Sequence, residues 1–487
     1  MRHSKRFYGA LSLAAAAAVS LWGQGSVQAA PGAAPAEADK PLAELAQGEQ
    51  QAAAKMQRLD ASVNTRHMVV TVRKLHIQGE AVTKAQVLQL LPELKKDKVN
   101  IGTLSRQVQY ANDNGAAKLH TTFVPHGSTY EVTVQADPLQ QTHYNFSVAN
   151  SGNSYTGDWR TTAGWLETGA GRGADTVGAA IVSSPGHWSD VKQAAFAYKM
   201  VLPKMSDSFT FSGSWSDVQL DMAQPSLSGL QLDAGGKGAT FGLHYQHAFS
   251  YSSRNKDILD FGIDHKHSTS DQSLYLLGNN ITLSDYSYDV DMVGVTYRHN
   301  DRDTRHTFSY EAGYAGNIRG NAGKYAQVGY GNYSENFGYV HGGLNYQYRT
   351  GGDWLLGLRA QGQYTRSNVL PIEQLGAGGQ HSVRGFDERI VAADTGVTGS
   401  VEVYTPEIAP KCRLVLFSDA GWLHNNNTQA IDRSLKLASA GLGFRYLDAK
   451  QGVAFTLDYA KPVTDLSDTY TLDRGHKLWN TTLSFSF

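Results

Sequence analysis

The stretch WNTTLSFSF (Trp479–Phe487) decides how the longer part of the chain folds. In an extended strand Leu483, Phe485 and Phe487 share one face, and the residues between them are serine. The same alternation recurs from about Tyr144 onward, in segments of roughly ten residues separated by turns rich in Gly, Asn, Asp and Ser. Further examples are 209–215, 259–264, 354–363 and 453–459.

This alternation favours a barrel over a β-sandwich. A sandwich would not continue it through roughly 340 residues with hardly a helical segment, and its second face would be less polar. A barrel with lipid outside and water inside explains both faces, and aromatic residues near the strand ends fit two interfacial girdles. The segments number sixteen or seventeen, depending on whether Lys324–Tyr333 is a strand. Because bacterial single-chain barrels close with an even number of strands, we assign that segment to a loop. We predict an all-β transmembrane barrel of 16 antiparallel strands over residues 141–487.

Composition agrees with a membrane barrel and argues against several other classes. The 43 Lys and Arg residues balance 44 Asp and Glu residues, so the net charge of −1 offers no basic field for nucleic acid. The 50 glycines and 25 tyrosines favour β structure, and a mean hydropathy of −0.37 suits strands that are only half apolar. The single cysteine, Cys412, excludes an internal disulfide.

The first residues have the pattern of an export signal. Basic residues at positions 2, 5 and 6 precede the apolar run Gly9–Trp22, and small residues follow at Val27–Ala29. A membrane anchor would need about 20 apolar residues, which is longer than this run. We therefore predict a cleaved signal peptide at residues 1–29.

Two further segments precede the barrel. Residues 30–65 are Ala- and Pro-rich and then Glu- and Gln-rich, which predicts a linker with one polar helix at Pro41–Leu59, although plain disorder fits as well. Residues 66–140 predict a small α/β domain in the order β-α-α-β-β, with Thr83 able to cap the first helix.

A loop within the barrel region is the main candidate site. The alternation fails at about residues 366–392, and a structureless stretch of this length in a compact barrel is typical of a functional loop. The loop contains Arg384, which either faces the aqueous surface or points into the lumen towards a carboxylate. Asp419 is the partner that the sequence offers, because it lies on the opposite strand face to Ser418, and a guanidinium–carboxylate pair would pin the loop inside.

These features resemble the outer-membrane transporters of two-partner secretion, the haemolysin and filamentous haemagglutinin secretion/activation family. The resemblance covers most of the chain after the signal and rests on five motifs in order. They are 148–157 (first hairpin), 373–386 (in-lumen loop), 402–407, 417–421 and 457–462.

The resemblance implies a fold and a function. It implies a periplasmic POTRA domain at residues 66–140, a sixteen-stranded outer-membrane barrel, and Phe487 as a signal for the barrel-assembly machinery. It implies secretion, and possible activation, of a large unfolded exoprotein partner, expected to be β-helical, with the helix in residues 30–65 as a plug of the lumen. The family usually has two POTRA units, whereas this chain has one. We expect a monomer.

The resemblance also names the site residues. It implies that Val383, Arg384, Gly385 and Phe386 form the loop tip that is held by Asp419. The same arrangement would equally serve to stabilise the barrel alone.

The α/β domain suggests how a partner is bound. We predict that the exoprotein pairs as an extra strand along Tyr130–Gln135, where Tyr130, Val132 and Val134 alternate with polar residues. Two other functions remain open, namely an insertase for outer-membrane proteins and a passive porin. An insertase usually carries more POTRA units, and a porin needs none.

The sequence gives little support for catalysis, cofactors or metals. It contains no GxSxG, HExxH or P-loop motif, so we predict no enzyme and no cofactor. His265 and His267 share a strand face, as metal ligands could, but a chance pairing is the better interpretation in a chain with 17 histidines.

Overall fold

The fold is taken from a computed structural model of the protein. It describes residues 68–487 except 80–81, 116, 153–155, 172–173, 203–206, 224–229, 277–278, 329–331, 428–432 and 465–475. The predicted signal peptide and the predicted linker with its helix lie outside the described residues. Among the helices that are described, none is long and apolar enough to cross a membrane.

The N-terminal domain is a four-stranded sheet with helices on one side. Its elements are, in chain order, β1 (Val69–Gln78), α1 (Lys84–Leu90), a 3₁₀ turn (Pro92–Lys95), β2 (Lys98–Asn100), α2 (Ile101–Asn114), β3 (Ala117–His126) and β4 (Thr129–Pro138). The order across the sheet is β2-β1-β4-β3, with β1 and β4 parallel. The predicted β-α-α-β-β order is present, and the short strand β2 is added to it, since Lys98–Asn100 pairs with the start of β1.

Local sequence signals fix the helices of this domain. Thr83 caps α1, because its hydroxyl accepts from the Gln86 N–H while the Gln86 side chain accepts from the Thr83 N–H. Asn100 caps α2 by accepting from the Thr103 N–H. The helices cover Val132 and Val134, which are fully buried in the core.

The predicted binding edge along Tyr130–Gln135 is wrong. These residues belong to β4, which pairs with β1 on one side and with β3 on the other. β4 is the second strand of a hairpin, but β1 joins it from earlier in the chain and makes it central. Its backbone groups are therefore already paired, and Val132 and Val134 are inaccessible.

The rest of the chain forms a closed antiparallel barrel, with sixteen barrel strands among the described residues. These strands are β5 (Thr142–Ala149), β6 (Arg160–Ala170), β7 (Asp175–Ser183), β8 (Val191–Leu202), β9 (Asp207–Ala223), β10 (Leu230–Tyr251), β11 (Asn255–Leu276), β12 (Asn279–Arg302), β13 (His306–Arg319), β14 (Gly338–Arg349), β15 (Leu355–Tyr364), β19 (Thr395–Tyr404), β20 (Cys412–His424), β21 (Ser434–Asp448), β22 (Val453–Pro462) and β24 (Trp479–Ser486). β24 pairs with β5 and closes the barrel. The predicted strand number is confirmed. The described residues of Lys324–Tyr333 contribute no barrel strand, and its first two residues end a helical turn, α3 (Ala322–Tyr325).

The alternation of the strands separates an apolar outside from a polar inside. On β11, for example, Phe261 and Ile263 are exposed on the outer face, whereas Asp260 and Lys266 point into the lumen. On β20, Leu414 and Leu416 are exposed and Asp419 is buried inside.

The N-terminal domain docks on one end of the barrel through the end of α2. The rings of Tyr110 and Tyr251 meet edge to face with centroids 4.8 Å apart, and they belong to the same apolar cluster as the domain core. Asp113 forms an ion pair of 2.9 Å with Lys256 on β11, and Asn114 accepts from Lys199 at 3.0 Å. Burial raises the pKa of Tyr110 above its usual value, so the phenol stays neutral in this contact.

Candidate functional site: the loop inside the barrel

The chain between β15 and β19 turns into the lumen. Within it β16 (Leu375–Ala377) pairs with β18 (Val391–Ala393), and the loop tip includes the short strand β17 (Gly385–Phe386). The loop thus leaves the wall after Tyr364 and returns to it at Thr395. The sequence placed its bounds at 366–392.

Arg384 at the loop tip is buried and contacts Asp419 on the barrel wall. Its Nε and Nη2 donate to the two oxygens of Asp419 at 2.8 Å each, and its backbone N–H donates to the same carboxylate at 3.0 Å. Only 2% of the Arg384 side chain is exposed. A two-pronged contact of this kind fixes both the position and the orientation of the guanidinium.

Two further carboxylates surround the same guanidinium. Nη2 of Arg384 lies 2.7 Å from Glu402 on β19, and Nη1 lies 3.4 Å from Asp458 on β22. Arg445 on β21 balances part of this negative charge, since it donates to both oxygens of Asp458 at 2.6 and 3.0 Å. We call Arg384 with Glu402, Asp419 and Asp458 the tip anchor.

An aromatic ring completes the tip anchor. The guanidinium carbon of Arg384 lies 3.4 Å from the centre of the Phe417 ring, and its Nη2 also donates to the Ser400 hydroxyl at 3.0 Å. The guanidinium is therefore enclosed by charge, hydroxyl and ring, which offsets the cost of removing it from water.

The neighbours of Arg384 pack the tip against the wall. Phe386 and Val383 are fully buried in a cluster with Leu423 and Leu437 of the barrel. Gly385 has φ +90°, and a Cβ there would meet the Ala460 carbonyl at 3.2 Å, so a side chain would be both strained and crowded.

The tip is also linked to the strand that closes the barrel. Gly385 and Phe386 pair with β23 (His476–Lys477), which directly precedes β24. The Lys477 ammonium donates to the backbone carbonyls of Asn150 and Gly152, which follow β5. The loop tip therefore contacts the segment before β24, and Lys477 of that segment links it to the residues after β5.

A second contact holds the other end of the loop to a different part of the wall. Glu373 accepts from Lys266 on β11 at 2.7 Å and from the Tyr339 hydroxyl on β14 at 2.8 Å. The Glu373 side chain is 1% exposed. We call these three residues the base anchor. Because β11 and β14 precede the loop whereas β19, β20 and β22 follow it around the wall, the loop is tied to two distinct parts of the barrel.

The sequence located only part of this site. It paired Arg384 with Asp419 because both lie in recognisable motifs and Asp419 has the parity of a lumen residue. Glu402, Asp458, Arg445 and Glu373 were not assigned roles, although Glu402, Asp458 and Glu373 lie in quoted motifs. The available signal was a charged residue at a strand position whose side chain faces the lumen. The sequence does not show which of these positions come together in the closed barrel.

Comparisons with known proteins agree with this architecture. The sequence profile of the family described as "Haemolysin secretion/activation protein ShlB/FhaC/HecB" matches residues 127–446, about two thirds of the chain. No individual curated sequence matches significantly.

Several solved structures are similar in fold. CdiB from Escherichia coli superposes with a TM-score of 0.70 at 17% identity, over 86% of this chain and 76% of that one. CdiB from Acinetobacter baumannii gives 0.67 at 17% identity, over 86% and 74%. BamA from Haemophilus ducreyi lacking POTRA domains 1–3 gives 0.52 at 14% identity, over 86% and 85%.

The transporter family, the closed barrel and the lumen loop lead to one assignment. The chain belongs to the haemolysin secretion/activation protein family ShlB/FhaC/HecB and is an outer-membrane pore of two-partner secretion.

Proposed function

We propose that the N-terminal domain lies in the periplasm and captures one large unfolded exoprotein, which then passes through the lumen to the cell surface. The observation that carries this proposal is the buried tip anchor, which holds a long loop inside a barrel wide enough to need a filling. We expect the partner to be β-helical, the pore to act as a monomer, and the chain to catalyse no reaction.

The free edge of β3 is a better site for the exoprotein than the central strand β4. Both backbone groups of Leu119 bond the side-chain amide of Asn112, at 2.6 and 3.0 Å, so they point away from β4. Thr121 and Phe123 have the same parity and direct their backbone groups to the same open side. Pro125, which has no N–H, limits the edge at its other end. An extended chain would therefore add as a strand over Thr121–Pro125.

The loop controls whether the lumen can pass a chain. With both anchors formed, the loop crosses between two parts of the wall, so an exoprotein needs at least one anchor to open. Residues 30–65, outside the described part of the chain, are the proposed additional plug. The proposed signal peptide at 1–29 sends the chain to the periplasm, and the barrel-assembly machinery then recognises the C-terminal segment that includes Phe487.

The test is quantitative proteomics of medium and outer membrane from the parent strain, a deletion strain and complemented strains. Complementation uses the wild-type chain, Arg384→Ala and Arg366→Ala. Arg366 is the matched control, because it is an exposed arginine of the same loop whose hydrogen bond, at 3.4 Å, goes to Tyr364. We expect one large exoprotein to disappear from the deletion strain and to return with wild type and Arg366→Ala, but poorly with Arg384→Ala at equal barrel abundance.

Other outcomes would contradict the proposal. A joint decline of many barrel proteins in the deletion strain would indicate an insertase, and a change only in solute uptake would indicate a porin. Full secretion by Arg384→Ala would still agree with a secretion pore, but it would show that the tip anchor plays no part in secretion.

A further inference from the structure

Two histidines on the outer wall of the barrel form a patch with two aspartates, away from the lumen. His265 and His267 on β11 share their face with the exposed residue Ile263. Asp291 on β12 lies directly opposite His265, and Asp289 lies opposite His267. The patch lies beyond the outer apolar residues of β11, towards the end of the barrel away from the N-terminal domain.

Each imidazole is oriented by its own carboxylate. Nδ1 of His265 lies 2.7 Å from Asp291, and Nδ1 of His267 lies 2.6 Å from Asp289. A carboxylate can only accept a hydrogen bond, so Nδ1 carries the proton in both rings. In a ring with a single proton, the lone pair is then on Nε2. No described residue bonds either Nε2, and the two side chains are 50% and 39% exposed.

This arrangement has the chemistry of a metal site with its supporting shell. Residues two apart on a strand lie about 7 Å apart on the same face, which is close enough for two imidazoles to bind one ion. Histidine ligands of metals usually donate their other ring N–H to a carboxylate, which fixes the tautomer and makes the free nitrogen a better ligand. Imidazole nitrogens suit Zn²⁺, Cu²⁺ and Ni²⁺ rather than Mg²⁺.

We propose that Nε2 of His265 and Nε2 of His267 bind a divalent transition-metal ion of the Zn²⁺ class, with water completing its coordination. The described part of the chain contains no cluster of three or more His, Cys, Asp or Glu residues suited to a metal. The site is accordingly open and supplies two protein ligands. Its aspartates orient the ligands and stay outside the coordination shell.

Two other histidines of the barrel each pair with an aspartate in the same way, but without a second histidine beside them, and serve as matched controls. Nδ1 of His247 lies 2.7 Å from Asp207, and Nδ1 of His299 lies 2.7 Å from Asp257. His247 and His299 are on β10 and β12, with β11 between them and an offset of two residues along the strands, so they lie more than about 10 Å apart. Their rings also pack against Phe249 and Tyr310, with centroids at 4.8 and 5.1 Å. Each of these two histidines has its own orienting aspartate but no second histidine beside it on the strand.

The experiment is calorimetric titration of the full-length chain, free of any histidine tag, with Zn²⁺ alone. The variants are His265→Gln/His267→Gln and the control His247→Gln/His299→Gln, each first checked for a folded barrel by heat-dependent gel mobility. We expect one Zn²⁺ site to be lost in the first variant and kept in the control, and an excess of Mg²⁺ not to compete.

A third variant tests the role of the carboxylates. Asp289→Asn/Asp291→Asn keeps the size of both side chains, and we expect the affinity for Zn²⁺ to fall about 10- to 100-fold. Equal Zn²⁺ binding by wild type and His265→Gln/His267→Gln, or equal loss in the control variant, would overturn the proposed site.

Discussion

The two anchors of the in-lumen loop differ in how completely each is built. At the tip, Arg384 meets three carboxylates, a hydroxyl and an aromatic ring. At the base, Glu373 meets one ammonium group and one phenol. The Arg384 and Glu373 side chains at the centres of the two anchors are both buried, but Arg384 has more charged partners. Losing it removes the cation that all three carboxylates share. The loop is therefore held more firmly at its tip, and the base is the end expected to open first.

The largest effect is expected at the tip. Arg384→Ala leaves the buried Asp419 and Asp458 and the partly buried Glu402 with Arg445 and Arg359 as the remaining nearby cations. Breaking a buried ion pair in this way costs about 3–5 kcal/mol. The free energy of unfolding is measured by urea titration in lipid vesicles, followed by tryptophan fluorescence. Arg366→Ala is the control and should match wild type. A loss at Arg384→Ala no larger than at Arg366→Ala would contradict the tip anchor.

A smaller loss is expected at the base. Glu373→Gln keeps the shape of the side chain but removes the buried charge that faces the partly buried Lys266. We expect this to cost about 1.5–3 kcal/mol in the same titration. The double variant Glu373→Gln/Lys266→Gln should recover part of this loss, because it leaves no unpaired charge. If Glu373→Gln proved more destabilising than Arg384→Ala, the base anchor would contribute more to stability than the tip anchor, contrary to this prediction.

A substitution that changes the geometry of an ion pair but not its charge gives a further distinction between the tip anchor and the base anchor. Arg445→Lys keeps the positive charge but gives up the two parallel bonds to Asp458, so a loss of about 1 kcal/mol is expected. The cation of the base anchor is already a lysine, so the base anchor does not depend on two parallel bonds of this kind. An Arg445→Lys chain as stable as wild type would mean that net charge alone, without bidentate geometry, supports the tip.

The smallest effect is the coupling between the anchors. They share no residue and lie on different parts of the wall, so the losses of Arg384→Ala and Glu373→Gln should add to within about 0.5 kcal/mol in the combined variant. A larger coupling energy, measured by the same double-mutant cycle, would show that the loop releases both anchors as one unit.

The sequence predicted the pairing of Arg384 with Asp419 but not the wider tip anchor. Alternation places Asp419, Glu402 and Asp458 inside, because parity along a strand is a local property. Their convergence on one guanidinium depends on how β19, β20 and β22 are staggered around the closed barrel, which no single strand specifies. The base anchor was not predicted for the same reason. Lys266 and Glu373 are more than a hundred residues apart in the chain and meet only in the folded barrel.

The α/β domain shows the same limit. The turn and the alternation predicted the hairpin of β3 and β4. The sequence offered no reason to place β1 beside β4. That parallel pairing made the predicted edge a central strand and left β3 open.

The sequence by itself determined the class of this protein. Side-chain alternation with a period of two, sustained over many segments, permits a membrane barrel and little else. Tertiary structure alone decided which strand of the N-terminal domain is free and which carboxylates enclose Arg384. Those outcomes depend on contacts between distant segments, whose geometry is fixed only when the sheet is ordered and the barrel is closed.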